Sequence, residues 1–183
     1  MIYIETGSTD VYYNFGLEHY FATEKRLPDT VFLFWRTTPT LMVGKYQNIL
    51  EEINKPYADA HGIHLVRRMS GGGTVYHDLG NLNYTLISDQ TGPLDYDRCL
   101  EPVIRALNAL GIPAQKNRTC DIAVDGKKIS GSAQKIAGGR VLHHGTLLFD
   151  SDLSLLDEIT TGRKNDAFCS KGKIGRASCR ERV

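Results

Sequence analysis

Three consecutive glycines lie within RRMSGGGTVYHDLGNLN, residues 67–83 of this chain. Glycine loses much conformational entropy on folding and gives a strand no side chain to pack, so an ordinary turn uses one or two. Three in a row indicate that a bound group approaches the backbone closely, and a loop of backbone N–H groups can bind an anion. The alternative is a hairpin loop with a purely structural role. This segment is neither a GxxxxGK[ST] phosphate loop nor a GxGxxG sequence that opens a helix.

Charged residues beside the glycines favour an anionic ligand. Arg67 and Arg68 occupy consecutive strand positions, so their side chains face opposite sides of a sheet. We expect Arg68 to reach the ligand because the glycines begin three residues later; a solvated surface arginine is the alternative. His77 and Asp78 follow the loop, where a lone histidine is more often a structural hydrogen-bonding partner than a catalyst.

A second cluster, KKISGSAQ at residues 127–134, follows an Asp-Gly pair that predicts a tight hairpin turn. Lysine is a compact point charge, suited to an anion whose geometry changes during a reaction. Neighbouring strand residues point to opposite faces, so only one of Lys127 and Lys128 can face a bound anion. If the strand alternates regularly, Lys128 shares one face with Ser130 and Ser132, while Gly131 lies on the other and lets the glycine loop pack closely. An ordinary charged hairpin is the alternative.

Paired histidines form a third cluster, HHGT at residues 143–146. Adjacent histidines on a strand point to opposite faces, so His143 and His144 are not expected to bind one metal ion together. His61 and His64, expected near the end of a helix, do not form a metal pair either.

Length and composition restrict the class of protein. The 183 residues suffice for one domain with a core, and a formal charge of +1 gives no global argument for binding nucleic acid or an anionic membrane. No signal peptide and no apolar run long enough to span a bilayer are apparent. The four cysteines lack CxxC spacing, which predicts a reduced, cytoplasmic protein.

Hydrophobic patterning predicts an α+β fold with a mixed, largely antiparallel sheet and flanking helices. Short β-branched and aromatic segments, such as residues 31–37 and 82–88, predict strands joined in hairpins. Residues 95–111 give the clearest helix, with apolar residues at helical spacing and Gly111 as its C-terminal cap. Further helices are expected after Ser8 or Asp10, over residues 51–62, and over residues 152–159.

The three clusters, in this order and spacing, resemble the lipoate-protein ligase A family. The resemblance covers residues 1–172, and it implies a catalytic domain with the fold of biotin and lipoate ligases. Cys120 is a departure, since the family usually has asparagine there. Members also continue into more catalytic domain and usually an accessory domain, so residues 1–173 are expected to be part of the catalytic domain. Residues 174–183, IGRASCRERV, resemble a translated sequencing adapter and are expected to be non-native.

The resemblance implies ATP-dependent activation of lipoate to lipoyl-adenylate. Transfer of the lipoyl group to an acceptor lysine would follow, on a lipoyl domain of a 2-oxoacid dehydrogenase complex or on the glycine-cleavage H protein. Lys128 would be catalytic, and Asp121 would lie near Mg²⁺. The residues expected to bind ATP or lipoyl-adenylate, besides Lys128, are Arg68, Ser70, Gly71, Gly72, Gly73, Thr74, Val75, Tyr76, His77, Ser130, Gly131 and His144.

Two other functions stay open from the sequence. One is an ATP-independent octanoyl or lipoyl transferase that uses a Cys169 thiolate with Lys128. The other is a non-catalytic module that binds lipoate or its adenylate. ATP-dependent formation of an adenylate would distinguish the ligase from both, and the sequence does not decide between lipoate and octanoate.

Overall fold

The computed structural model describes residues 1–118 and 120–160. These residues form ten strands and five helices, with a 3-10 turn at Leu153–Leu155 before the last helix. The strands are β1 (Ile2–Glu5), β2 (Val31–Trp35), β3 (Thr40–Val43), β4 (His64–Arg67), β5 (Val75–His77), β6 (Asn81–Asp89), β7 (Ala114–Asn117), β8 (Asp121–Val124), β9 (Lys127–Ala137) and β10 (Arg140–Leu148). The helices are α1 (Val11–Thr23), α2 (Ile49–Glu52), α3 (Lys55–Ala60), α4 (Tyr96–Ala109) and α5 (Leu156–Thr160). Cys169 and the expected non-native tail lie outside the described residues.

The strands form two sheets. The larger has seven strands in the order β1-β2-β6-β10-β9-β8-β7, and its pairs are antiparallel except for β1 with β2. The smaller sheet has the order β4-β3-β5, with β3 parallel to β4 and antiparallel to β5. The predicted α+β fold with a largely antiparallel sheet is therefore confirmed. None of the described helices combines the length and the apolar character needed to cross a membrane.

Side-chain caps set the helix boundaries. Asp10 accepts hydrogen bonds from the backbone N–H groups of Tyr12 and Tyr13 and so begins α1. Asp95 caps α4 in the same way, and Gly111 follows that helix with a left-handed φ of 82°. The helix expected over residues 51–62 is divided into α2 and α3 because Asn54 caps a new helix.

The hairpin between β8 and β9 contains the predicted tight turn, but the strand after it is irregular. Asp125 and Gly126 both have positive φ values, 50° and 77°. Lys128 pairs with Ala123 and Ser130 pairs with Ile122, so Ile129 is an extra residue that forms a β-bulge. The bulge resets the alternation of side chains along β9.

Within the described residues, three apolar clusters hold the layers together. The first packs α1 against the large sheet and includes Met42 and Val66 of the small sheet, so it joins the two sheets. The second lies between the small sheet and the short helices α2, α3 and α5. The third lies under α4, on the opposite face of the large sheet, and contains Ile122 and Ile129. The junction of the two sheets is where a cavity opens.

Candidate active site

A cavity of about 190 Å³ lies between the glycine loop, residues 70–74, and the face of the large sheet that also packs α1. The side chains that line it are apolar at one end and charged at the other. Phe15, Trp35, Met42 and Val75 contribute apolar surface, whereas Asp121 and Lys128 are charged. A cavity of this kind suits a molecule with an apolar chain and a polar or anionic head.

Arg68 holds the glycine loop in shape from within. Its guanidinium donates hydrogen bonds to the carbonyl oxygens of Met42 (2.9 Å), Gly71 (2.8 and 3.3 Å) and Gly73 (2.7 Å). The side chain is buried, and this desolvation lowers the pKa of Arg68 to about 10. Arg68 therefore stays cationic at neutral pH and places a positive charge beside the loop, because it also lines the cavity.

Arg67 faces the opposite way, as the strand period predicts. Its Nη1 donates to the carbonyl oxygens of Gly44 (2.9 Å) and Gln47 (2.8 Å) in the segment that follows β3. Gln47 in turn accepts hydrogen bonds from the Gly44 N–H (2.9 Å) and the Thr74 hydroxyl (3.0 Å). The segment after β3 thus supports the glycine loop from behind.

Two glycines of this region meet backbone to backbone. A Cβ atom on Gly44 would lie 2.0 Å from the carbonyl oxygen of Gly72, which is a severe overlap. Gly72 itself has a φ of 98°, and a Cβ atom there would lie 2.8 Å from Nη2 of Arg68. The loop conformation therefore needs glycine at position 72, and its close approach needs glycine at position 44.

Lys128 and Asp121 form an ion pair at the polar end of the cavity. Lys128 Nζ lies 2.8 Å from Asp121 Oδ1, and the Asp121 side chain is only 9% exposed. Gly131 gives the ammonium room, since a Cβ atom there would lie 3.1 Å from Lys128 Nζ. The thiol of Cys120 donates to Asp121 Oδ1 at 3.7 Å, and burial, followed by the Asp121 charge, raises the pKa of Cys120.

The bulge overturns one expectation about β9. Lys128 shares its face with Gly131, whereas Ser130 pairs with Ile122 on the α4 side. The prediction that Ser130 and Ser132 share the face of Lys128 is wrong, because Ile129 adds one residue between them. Gly131 accommodates the lysine instead of the glycine loop.

A buried chain of hydrogen bonds links α1 to the glycine loop through His144. His144 Nε2 lies 2.6 Å from the hydroxyl of Ser70, and Nδ1 lies 3.2 Å from a carboxylate oxygen of Glu18. Glu18 is buried and also accepts a hydrogen bond from the Thr85 hydroxyl. Sequence reasoning missed Glu18, although its helical spacing from Val11 and Asn14 places it on the buried face of α1.

His77 and two asparagines complete the lining between the apolar and charged ends. Burial, with smaller contributions from Arg68 and His144, lowers the pKa of His77 to about 3, so its ring is neutral at physiological pH. Asn81 and Asn83, both buried, extend from β6 into the same cavity. Their alternate spacing in GNLNY is a signal that sequence reasoning could have used, since polar residues at i and i+2 face one side of a strand.

The structure brings most of the expected site residues together at the cavity. The ones that line it are Arg68, Gly71, Gly72, Gly73, Val75, His77, Asp121, Lys128, Gly131 and His144. Ser70 lies behind His144, Thr74 hydrogen-bonds to Gln47, and Ser130 lies on the other face of the sheet. Tyr76 packs in the core of the small sheet. The lining residues that sequence reasoning did not select are Phe15, Trp35, Met42, Asn81, Asn83, Cys120, Ser132, Ala133, Gly145 and Thr146.

Within residues 1–118 and 120–160, no group of three or more His, Cys, Asp or Glu side chains could hold a metal ion. Asp121 is the one carboxylate that lines the cavity in this part of the chain, and it is paired with Lys128. A single carboxylate fits Mg²⁺ that arrives already bound to substrate phosphates, but it does not form an all-protein metal site.

Comparison with known sequences identifies the family. The model for the lipoyl protein ligase A/B catalytic domain matches residues 10–183. The chain belongs to this family. Among curated relatives it is 41% identical over 177 residues to the lipoate-protein ligase LplJ of Bacillus subtilis, covering 94% of this chain and 53% of that protein. It is also 37% identical over 162 residues to the human mitochondrial lipoyl amidotransferase LIPT1, covering 85% of this chain and 43% of that protein. The chain thus spans about half the length of these relatives.

Solved structures show the same fold. Plasmodium falciparum LipL1 in complex with lipoate superposes with a TM-score of 0.79 at 27% identity, over 88% of this chain and 52% of that one. The lipoate-protein ligase of Thermoplasma acidophilum, described as bi-partite and together with its E2 lipoyl domain, gives 0.78 at 28% identity, over 90% and 67%. A lipoate-protein ligase A bound with ATP gives 0.70 at 28% identity, over 88% and 70%. The expected resemblance to the lipoate-protein ligase A family is confirmed.

Proposed function

We propose that the protein activates lipoate with ATP to form lipoyl-adenylate and transfers the lipoyl group to a lysine of an acceptor protein. One observation carries this proposal: the cavity sets the Lys128–Asp121 pair at one end, the glycine loop with its buried Arg68 cation along one wall, and apolar side chains at the other end. An acyl-adenylate has matching chemistry, with an anionic phosphate beside a polar carbonyl and an apolar chain.

Lys128 would act by stabilising charge. In the first step the lipoate carboxylate attacks the α-phosphate of ATP and pyrophosphate leaves; in the second an acceptor amine attacks the acyl carbonyl and AMP leaves. Negative charge develops on the α-phosphate in the first step and on the carbonyl oxygen in the second. The Lys128 ammonium, placed between these two groups, would reach both. A preorganised donor of this kind contributes about 3–4 kcal/mol to transition-state stabilisation. Both substrates bring their own nucleophile, so the enzyme needs none.

The glycine loop would hold the nucleotide. Residues 71–73 present backbone to the cavity without Cβ atoms, and Arg68 binds the carbonyl groups of Gly71 and Gly73 so that the loop keeps its shape. Asp121 would meet Mg²⁺ if the ion enters with ATP, and the ion would then neutralise phosphate charge.

The acyl chain would extend from Lys128 toward Phe15 and Trp35. These rings lie 5.4 Å apart at their centroids and close the apolar end of the cavity. Burying a methylene group there contributes about 0.8 kcal/mol, which favours a medium-length fatty acid. The relative solved with lipoate and the one solved with its E2 lipoyl domain support lipoate as the acid and a lipoyl domain as the acceptor. The acceptors we propose are the lipoyl domains of 2-oxoacid dehydrogenases and the glycine-cleavage H protein, in the cytoplasm.

A transferase that works without ATP is the second candidate, because the human relative is named a lipoyl amidotransferase. In the cysteine version of this mechanism the nucleophile would be Cys169, which lies outside the described residues. Cys120, the one cysteine of the described residues that lines the cavity, is a poor nucleophile because its pKa is raised.

The deciding experiment measures lipoate-dependent exchange of pyrophosphate into ATP, followed by transfer to an acceptor lipoyl domain. A ligase gives exchange with lipoate and ATP alone, and then lipoylates the acceptor. If lipoyl groups reach the acceptor only from another acylated protein or a preformed adenylate, and ATP has no effect, the transferase is correct. Binding of lipoate with neither exchange nor transfer would indicate a non-catalytic module.

A further inference from the structure

The cavity contains a hydrogen-bond donor that has no acceptor among the residues that the structure describes. Asn83 is 3% exposed and lines the cavity, and its Nδ2 has no hydrogen-bond partner within the described residues. A buried polar group that stays unpaired costs about 1–3 kcal/mol. The donor is therefore expected to meet an acceptor on the molecule that fills the cavity.

The orientation of the Asn83 amide is set by its neighbour. Nδ2 of Asn81 donates to Oδ1 of Asn83 at 3.2 Å, which leaves the Asn83 N–H group for the ligand. His77 Nδ1 is another buried atom of the lining without a partner in the described part of the chain, but a neutral imidazole nitrogen can donate or accept. The Asn83 amide nitrogen only donates, so it restricts what the ligand can be.

Sheet register gives the place of Asn83 relative to the charged end. Asn83 pairs with Trp35 on one side and Thr146 on the other. The Thr146 hydroxyl accepts from the N–H of Gly131 at 3.3 Å, and Gly131 is the residue against which the Lys128 ammonium packs. Asn83 is thus two strands from Gly131, about 10 Å at the usual strand spacing.

This place corresponds to the far part of an acyl chain and not to its head. A carboxylate or adenylate held by Lys128 would send its chain across Thr146 and Asn83 toward Trp35. The far part of octanoate carries no hydrogen-bond acceptor. The far part of lipoate carries a dithiolane ring with two sulfur atoms, which are weak acceptors.

We propose that Asn83 is a specificity-determining residue, whose Nδ2–H donates to a dithiolane sulfur and selects lipoate over octanoate. This inference rests on the proposed function, because it takes the acyl chain to lie in the cavity. Sulfur accepts weakly, so the preference due to Asn83 is modest, about five- to twentyfold, well below the discrimination reached with strong acceptors.

The first test compares lipoate and octanoate in the parent protein and in Asn83→Leu, which keeps the side chain close to its original shape. The kcat/KM for lipoate divided by that for octanoate should fall by about five- to twentyfold, because lipoate alone loses a hydrogen bond. Damage to folding would lower the activity with lipoate and with octanoate by the same factor. A change in the ratio therefore reports the contact between Asn83 and the ligand. An unchanged ratio would overturn the inference.

The second test changes the ligand and compares the parent protein with Asn83→Leu. Calorimetry on the parent protein compares lipoate with its carbocyclic analogue, in which a cyclopentane ring replaces the dithiolane. Weaker binding of the analogue, with the difference lost in Asn83→Leu, is the expected result; equal binding in the parent overturns the inference, as does a difference that Asn83→Leu leaves intact. If the parent binds lipoate, octanoate and the analogue alike and still activates them, the proposed function stands without the Asn83 contact. If the parent binds none of the three acids, the proposed function is wrong, and the inference about Asn83 is wrong with it.

Discussion

Lys128 and Lys127 are adjacent in sequence but differ in environment. Lys128 is three-quarters buried and paired with Asp121, whereas Lys127 is exposed. The sequence predicted this difference from strand alternation and from the resemblance. It could not predict the bulge at Ile129, because that depends on how β9 pairs with β8. The local sequence pattern therefore predicted which of the two lysines faces the cavity, but not which residues of β9 share its face.

Replacing Lys128 with alanine should lower both pyrophosphate exchange and acceptor lipoylation by about 10²–10³, the effect of losing one preorganised donor. Lys127→Ala is the matched control and should stay near the parent rate, since changes at exposed lysines usually have small effects. The two rates are measured side by side for both variants. If Lys127→Ala loses exchange and lipoylation while Lys128→Ala keeps them, the proposed site is wrong.

Adjacent glycines of the loop should differ in their tolerance of a side chain. Gly72→Val should abolish nucleotide binding, because φ is 98° and the new Cβ would lie 2.8 Å from the Arg68 guanidinium. Gly71→Ala should keep the melting temperature, since no atom of the described residues lies within 4 Å of a Cβ atom there. Calorimetry with ATP and thermal melts measure the two effects. Unchanged ATP binding by Gly72→Val would argue against the role of the loop.

At the scale of helices and strands, most elements could be predicted from pattern and capping. The clearest case is α4, with its apolar spacing and Gly111. The short strand β7 was missed because AQKN has no apolar alternation; it pairs as the edge strand of the large sheet. The division of the sheet into two could not be predicted, because it depends on long-range pairing of β3 with β4 and β5.

The contact between the segment after β3 and the glycine loop gives an element-scale prediction. Gly44→Ala should lower both the melting temperature and lipoate-dependent exchange, because the backbone oxygen of Gly72 leaves no space for a Cβ atom. Gly16→Ala is the control: position 16 lies within α1 and is open, so the change should stabilise the protein by about 0.5–1 kcal/mol. Chemical denaturation measures both. A Gly44→Ala protein as stable and active as the parent would show that the loop can move aside at little cost.

For the whole molecule, two buried histidines predict acid sensitivity. Burial lowers the pKa of His77 and of His143 to about 3. For His143 the geometry agrees, because Nε2 of Gln134 donates to its Nδ1 at 3.0 Å and requires a neutral acceptor there. Unfolding exposes both rings to water, where their ordinary pKa is about 6.5. The unfolded chain therefore binds more protons below that pH, and stability falls as the pH falls toward 3.

The sign of this effect can be tested between pH 7 and pH 5, above the range where most carboxylates titrate. The free energy of unfolding should decrease on acidification, by at most about 1.4 kcal/mol per pH unit for each histidine. His143→Gln should make the decrease smaller. Urea titrations at several pH values measure it, and a parent stability that stays constant over this window would contradict the assignment of neutral rings.

The two walls of the cavity belong to separate hydrogen-bonded sheets, with the glycine loop on the small one and Lys128 on the large one. A ligand that touches both walls adds a second connection between two sheets that Met42 and Val66 already join by apolar packing. Hydrogen–deuterium exchange should then slow in concert in β3–β5 and in β8–β10 when lipoate and ATP are added, although these strands share no backbone ladder. Slowing limited to one sheet would mean that the ligand contacts one wall alone. Ligand binding would thus make local opening of either sheet depend on the other.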